Sequence, residues 1–413
     1  MQSLKSFALL IFLAVLAVAC TPIQPPVETP IDDMGDTAGL TYAQPGPYAA
    51  GYMPVTVGGE SERPLAAGLW YPALNPDGSE PAITYEVITK MAEMESDSPA
   101  IVYGKALADA AIDTGTAPYP LVVFSHGFGL NAATYHSLPE HYASHGFVVL
   151  APEHMDSDWF EGIESSIGRP EDIKRTLDFA ETLNAAGGKL AGLIDMDNVA
   201  VVGHSYGGYT ALAAAGALFD FDALNERCAQ LAEDDPKMFL CAPLLGKATE
   251  LAERAGLDSV PEDLWPPIGD ARVTAIIPMA GDAYMFSDEG LANVTVPIMA
   301  IGGTADTGAP FDWGSEPSYD YAASTQKSLV GLEGAEHMIV ASPCEENPWL
   351  AGSPLAEYLC GDPAWDKQQA LDLVHHFSTA FLLDTLRGDV DAHAVLLPAA
   401  AQFPAVDYLT TMQ

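Results

Sequence analysis

Basic side chains are scarce in this chain. Lys and Arg together number 16, against 57 Asp and Glu, and the formal net charge is -41. A nucleic-acid backbone or an anionic membrane surface needs a basic patch, so neither is an expected partner. The acids are spread along the chain rather than clustered, which reads as a heavily solvated acidic surface. Cysteine is also sparse, at 5 residues. No Cys/His spacing resembles a zinc site. No internal repeat is present, and no metal or organic cofactor is expected. Long apolar runs are missing too. The one near the start, Phe7 to Ala19 behind Lys5, is too short to span a bilayer and reads as a signal peptide over residues 1–20.

That run ends Leu16-Ala17-Val18-Ala19-Cys20. It resembles a bacterial lipoprotein signal, with Ala17 where leucine is usual, and the resemblance implies lipidation of Cys20. The alternative is ordinary cleavage near Ala19 and free secretion. Either way the expected location is outside the cytoplasm, with membrane contact only through an N-terminal lipid anchor. Residues 21–45 are rich in Pro, Thr and Asp and read as a flexible tether. With Cys20 set aside, Cys228, Cys241, Cys344 and Cys360 remain. An even count in an oxidising compartment suggests two disulfides. Three pairings exist, and the local ones, Cys228–Cys241 and Cys344–Cys360, are favoured because each closes one loop-like segment.

What the chain does contain is strand alternating with helix. Tyr52–Val57 and Leu65–Tyr71 read as an antiparallel hairpin, and Lys105–Ile112 reads as a helix. The apolar run Leu121–Phe124 suits a strand buried on both faces of a parallel sheet. A helix over Ala132–His145, a strand over Phe147–Leu150, a helix over Glu171–Leu183 and a strand over Val199–Val202 follow. The sheet resumes at Val273–Met279, Val296–Ile301 and Lys327–Leu332, and Asp366–Leu386 is a closing helix before a proline-rich tail. The alternation implies an α/β fold, a mostly parallel doubly wound sheet, within one domain over 46–413. Residues 217–271 break the pattern and read as a helical lid inserted after the helix that follows Val199–Val202, overhanging the carboxyl ends of the strands.

Between a Val-rich strand and an Ala-rich helix lies Gly203-His204-Ser205-Tyr206-Gly207. This G-x-S-x-G has the form of a nucleophile elbow, with glycines where side chains would collide and Ser205 at a strained apex. A serine hydroxyl needs a base, usually histidine, oriented by a carboxylate. The order Ser, acid, His is met by Ser205, Asp306 and His337, each just after an expected strand. Asp282, after the preceding strand, is the alternative acid; Asp306 occupies the commoner location. The backbone N–H groups of Phe128 and Tyr206 are the expected donors to a tetrahedral oxyanion. His126 and His204 read as packing residues, His375 and His376 as surface or packing residues, and His154 as a residue supporting the site.

Leu121-Val122-Val123-Phe124-Ser125-His126-Gly127, Ala143-Ser144-His145-Gly146-Phe147, Glu153-His154 and Gly203-His204-Ser205-Tyr206-Gly207-Gly208 together resemble the platelet-activating-factor acetylhydrolase family and predicted dienelactone hydrolases. Gly281-Asp282-Ala283-Tyr284-Met285-Phe286 resembles the acetylhydrolase segment carrying that family's acid. Ala305-Asp306-Thr307-Gly308-Ala309-Pro310, Gly334-Ala335-Glu336-His337 and Gly46-Pro47-Tyr48 are similar to cutinase-like polyester hydrolases. The resemblance implies an α/β-hydrolase fold and a serine carboxylic-ester hydrolase acting on a small ester, lipid or polyester. Dienelactone hydrolases proper use cysteine, so Ser205 does not imply lactone chemistry. A serine peptidase or amidase needs the same three residues. A non-catalytic ligand-binding lipoprotein would keep the cleft alone.

Overall fold

The computed structural model describes residues 39–413 except 60–62, 90, 91, 93–98, 155 and 157–161. The signal segment, Cys20 and most of the expected tether therefore lie outside the described residues. The last tether residues do not. Leu40 and Ala43 are buried, the Tyr42 N–H donates to His376 Nδ1 at 3.2 Å, and His141 Nε2 donates to the Tyr42 carbonyl at 2.8 Å.

Twelve strands occur among the described residues: β1 (Ala49–Val57), β2 (Leu65–Ala73), β3 (Ile83–Glu86), β4 (Ile101–Gly104), β5 (Leu107–Ala108), β6 (Tyr119–Ser125), β7 (Val148–Pro152), β8 (Ile194–His204), β9 (Ala275–Met279), β10 (Ile298–Gly303), β11 (Lys327–Leu332) and β12 (Val406–Thr410). Ten form one sheet in the order β12-β11-β10-β9-β8-β6-β7-β2-β1-β5, and β3 pairs with β4 alone. From β7 to β11 the pairing is parallel. β2 runs antiparallel to β7 and to β1. This is the mostly parallel sheet that the alternation implied.

Strands β6, β7, β9 and β10 are buried at every residue. Helices cover both faces, so neither face can be polar. The two-residue strand period sorts the side chains. Val122, Phe124, Ala200, Val202 and Ile277 join one core with the helix Lys367–Arg387. Leu121, Val123, Val199, Val201 and Ile276 join another with helices α1 (Gly162–Asn184) and α2 (Tyr206–Ala214). Closing helix Lys367–Arg387 begins where an N-cap should: the Asp366 side chain accepts from Gln369 N–H, and Gly388 ends it with φ +64°.

Two expectations fail. Lys105–Ile112 is not helical: Leu107–Ala108 pairs with β1, and Ile112 bridges Ala73. Pairing at the open sheet edge overrides the helix propensity of an Ala-rich segment. The tail does not simply trail off, since Val406–Thr410 returns as β12, antiparallel to β11. Helix α1 also starts earlier than Glu171, at Gly162.

The 217–271 segment carries helices α3 (Phe221–Ala229) and α4 (Ala248–Arg254), with one short helical turn, Met238–Cys241, between them. Its anchors are apolar: Phe219 and Phe221 pack on Trp265. The disulfides are Cys228–Cys241 and Cys344–Cys360, both local. No helix among the described residues is long and apolar enough to cross a membrane.

Candidate active site

The site grows from the end of β8. A strand must stop, reverse and become a helix within one residue, and Ser205 is that residue, with φ 58° and ψ -123°. A left-handed φ on a residue with a Cβ stores strain of about 1–3 kcal/mol, which persists only where surroundings impose it. Here they do. A Cβ at Gly203 would strike the Gly207 carbonyl, and one at Gly207 would strike the Ser125 carbonyl at the end of β6. The two glycines let β6, β8 and α2 converge behind the serine.

His337 lies just past β11, and Asp306 just past β10. The Ser205 hydroxyl is 2.9 Å from His337 Nε2, and His337 Nδ1 is 2.8 Å from Asp306 Oδ2. Asp306 Oδ1 accepts from the N–H groups of Gly308 and Ala309 at 2.8 and 2.7 Å. The carboxylate is thus fixed by its own turn, and Nδ1–H points at it. Nε2 is left as the acceptor facing the serine. Burial lowers the His337 pKa, but Asp306, then Asp282 and Glu336, more than offset it, so the net shift is upward. Ser205 is half-buried, and His337 and Asp306 are buried.

The structure therefore brings Asp306, not Asp282, to His337 Nδ1. Asp282 sits beneath the nucleophile: its N–H donates to the Ser205 carbonyl at 3.3 Å. Its side chain is buried, and burial pushes its pKa up to about 7.

His204 is the packing residue its position suggested, with a definite task. Its Nε2–H donates to the His337 carbonyl at 2.8 Å, so its Nδ1 accepts from the Tyr135 hydroxyl at 2.8 Å. The neighbouring carbonyl, of Met338, accepts from the buried Lys367 ammonium. Burial lowers the Lys367 pKa to about 7. The loop bearing His337 is held from two sides, by His204 from the elbow motif and by Lys367, which no motif marks.

The loop after β6 has its own supports. Phe128 packs edge-on against Tyr206, ring centroids 5.8 Å apart. His126 accepts the His154 N–H at Nε2 and donates from Nδ1 to the Gly127 carbonyl. His154 spans Ser125 Oγ at 2.9 Å and Asp172 Oδ2 at 3.1 Å. This second Ser–His–Asp string is sealed in the core, so it braces the loop. Buried Arg169, on α1, also reaches this loop. His375 and His376 are buried in the closing helix, far from any surface role. Among the described residues no group of three or more His, Cys, Asp or Glu is placed to hold a metal.

Comparison with known proteins gives three similarities. The family model for chlorophyllase matches residues 85–229, a stretch that includes the Phe128 loop and Ser205 and stops before both aspartates and His337. Platelet-activating factor acetylhydrolases of Cavia porcellus and Canis lupus familiaris are 28% and 31% identical over 23% of this chain. The chain spans about a third of the length of these two relatives, 31% and 32%. Chlorophyllase-1 of Citrus sinensis is 22% identical over 78% of this chain and 86% of its own length. Strand order, the strand–turn–helix around Ser205 and these similarities agree: the chain has the α/β-hydrolase fold.

Proposed function

We propose that the protein is a serine carboxylic-ester hydrolase. The observation that carries this is the hydrogen-bonded line Ser205 Oγ, His337 Nε2, His337 Nδ1, Asp306 Oδ2, with separations of 2.9 and 2.8 Å. Ser205 attacks the ester carbonyl as His337 takes its proton. The N–H groups of Phe128 and Tyr206 hold the oxyanion while His337 returns the proton to the leaving alcohol. Water, deprotonated by His337, then releases the acid from the acyl-enzyme. Asp306 keeps the tautomer and stabilises the imidazolium.

Relatives named acetylhydrolase favour an ester with a short acyl group; a lipid or polyester substrate fits the same chemistry. The 217–271 insertion is read as the lid. Lys237 from it pairs with Asp312 at 2.8 Å, and both Lys237 and Arg227 lie over the Trp313 ring, which ties it to the loop after β10. The two disulfides favour an oxidising, extracytoplasmic setting, reached by secretion or by lipidation at Cys20.

Ser205→Ala should abolish turnover of p-nitrophenyl acetate and butyrate, and a fluorophosphonate probe should label Ser205 in the wild type alone. Retained turnover in the variant would sink the reading.

A further inference from the structure

The peptide linking Gly127 to Phe128 is trans-planar, so its C=O and N–H point in opposite directions. Whatever holds the Gly127 oxygen therefore aims the Phe128 N–H. Arg169 holds it. Its Nη2 donates to the Gly127 carbonyl at 3.2 Å, and its Nη1 donates to the His126 carbonyl at 2.6 Å. The guanidinium is itself gripped by Asp156: Nε donates to Oδ1 at 3.0 Å, and Nη2 contacts Oδ2. The same Asp156 Oδ2 accepts the Gly129 N–H at 3.2 Å, so Phe128 is fastened on both sides. Arg169 Cζ also lies 5.2 Å from the centre of the Tyr206 ring, whose backbone N–H is the other proposed donor.

One side chain thus reaches both residues whose N–H groups would receive the oxyanion. Arg169 is 1% exposed. Burial opposes ionisation of Asp156, but Arg169 beside it holds that carboxyl well below the usual range. The pair is consequently a charged, planar, bidentate fork, which lysine cannot reproduce.

We propose that Arg169, locked by Asp156, is a positioning residue of the oxyanion hole, orienting the Phe128 N–H toward the charge that develops in the transition state. This rests on the ester-hydrolase reading given above. The guanidinium is buried and acts through backbone carbonyls, so its effect should fall on the transition state and spare substrate binding.

The test compares wild type, Arg169→Lys and Asp156→Asn. The readouts are kcat and KM for p-nitrophenyl butyrate, affinity for an aryl trifluoromethyl ketone, which forms a tetrahedral oxyanion on serine, and thermal melting. Arg169→Lys should lower kcat about 10- to 100-fold, leave KM within about twofold, and weaken the ketone by the same factor as kcat. Asp156→Asn should shift the same quantities in the same direction by less, and it decides the matter if Arg169→Lys does not fold. Folded variants that keep kcat and ketone affinity overturn the proposal, as does a loss in KM alone. A wild type with no turnover overturns the ester-hydrolase reading instead.

Discussion

At the scale of single residues, the two aspartates near His337 differ in their partners. Asp306 is fixed by two backbone N–H groups and meets Nδ1. Asp306→Asn would present a donor or a poorer acceptor there, and kcat should fall by about 10³- to 10⁴-fold at pH 7.5. Asp282→Asn should cost far less, and it should leave a signature in pH. With its folded pKa near 7, Asp282 gains charge as pH rises past neutrality, and that charge helps raise the His337 pKa. Removing it should move the acidic limb of kcat/KM to lower pH. Stability follows from linkage. The folded state holds the Asp282 proton more tightly than the unfolded chain does. Asp282 therefore costs stability progressively as pH climbs from the ordinary carboxylate range, about 4, to about 7. Asp282→Asn should thus raise Tm more at pH 8 than at pH 4. A larger kcat loss for Asp282→Asn than for Asp306→Asn would reverse the assignment of the acid. In the sequence both residues were legible as candidates, since each follows a strand by a few residues, with Asp306 preferred for its commoner location. The hydrogen bond to His337 Nδ1 distinguishes them, and it has no sequence signature. Arg169, Asp156 and Lys367 were not legible at all, because a buried ion that supports a loop from another helix belongs to no motif.

At the scale of elements, α1 and α2 are joined through a defect. Pro170 lies inside α1 and lacks the N–H that should reach the carbonyl four residues back, that of Ser166. The Tyr209 hydroxyl supplies the missing donor, at 2.7 Å. Ser166 Oγ donates to the Gly162 carbonyl and so accepts from Tyr206 OH, also at 2.7 Å. Tyr209→Phe should leave a buried carbonyl without a partner and cost about 1–3 kcal/mol in urea unfolding. In a Pro170→Ala background the helix donates its own N–H, so the same change should cost about 1 kcal/mol less. Equal costs in both backgrounds would refute the coupling. The strand–helix alternation from β6 to β11 was legible because parallel strands buried on both faces are continuous apolar runs. Extended segments at the rims were not. Leu107–Ala108 looked helical, and β12 alternates intermediate with exposed residues, so its pairing partner rather than its composition makes it a strand.

At the scale of the whole molecule, many of the basic side chains among the described residues are committed. Arg272 meets Asp178, Glu181 and Asp270; Arg254 meets Glu164 and Glu171; Arg63 and Arg175 meet Asp172. The acids far outnumber them, so unpaired carboxylates dominate the surface potential. Exposed pairs contribute about 0–1 kcal/mol each, and their screening is a small loss beside relief of repulsion at a net charge of -41. Tm should rise between low salt and 1 M NaCl; an unchanged melt would count against it. The same arithmetic bears on digestion. A protease of trypsin specificity cuts only after Lys or Arg, and in this fold many of those side chains are gripped by carboxylates. The native enzyme should resist trypsin, because cleavage must wait for opening. Once unfolded, it should yield few, long peptides. An acyl group on Ser205 would be recovered on the single fragment running from Leu190 to Arg227, while Asp282 and Asp306 share another, from Val273 to Lys327.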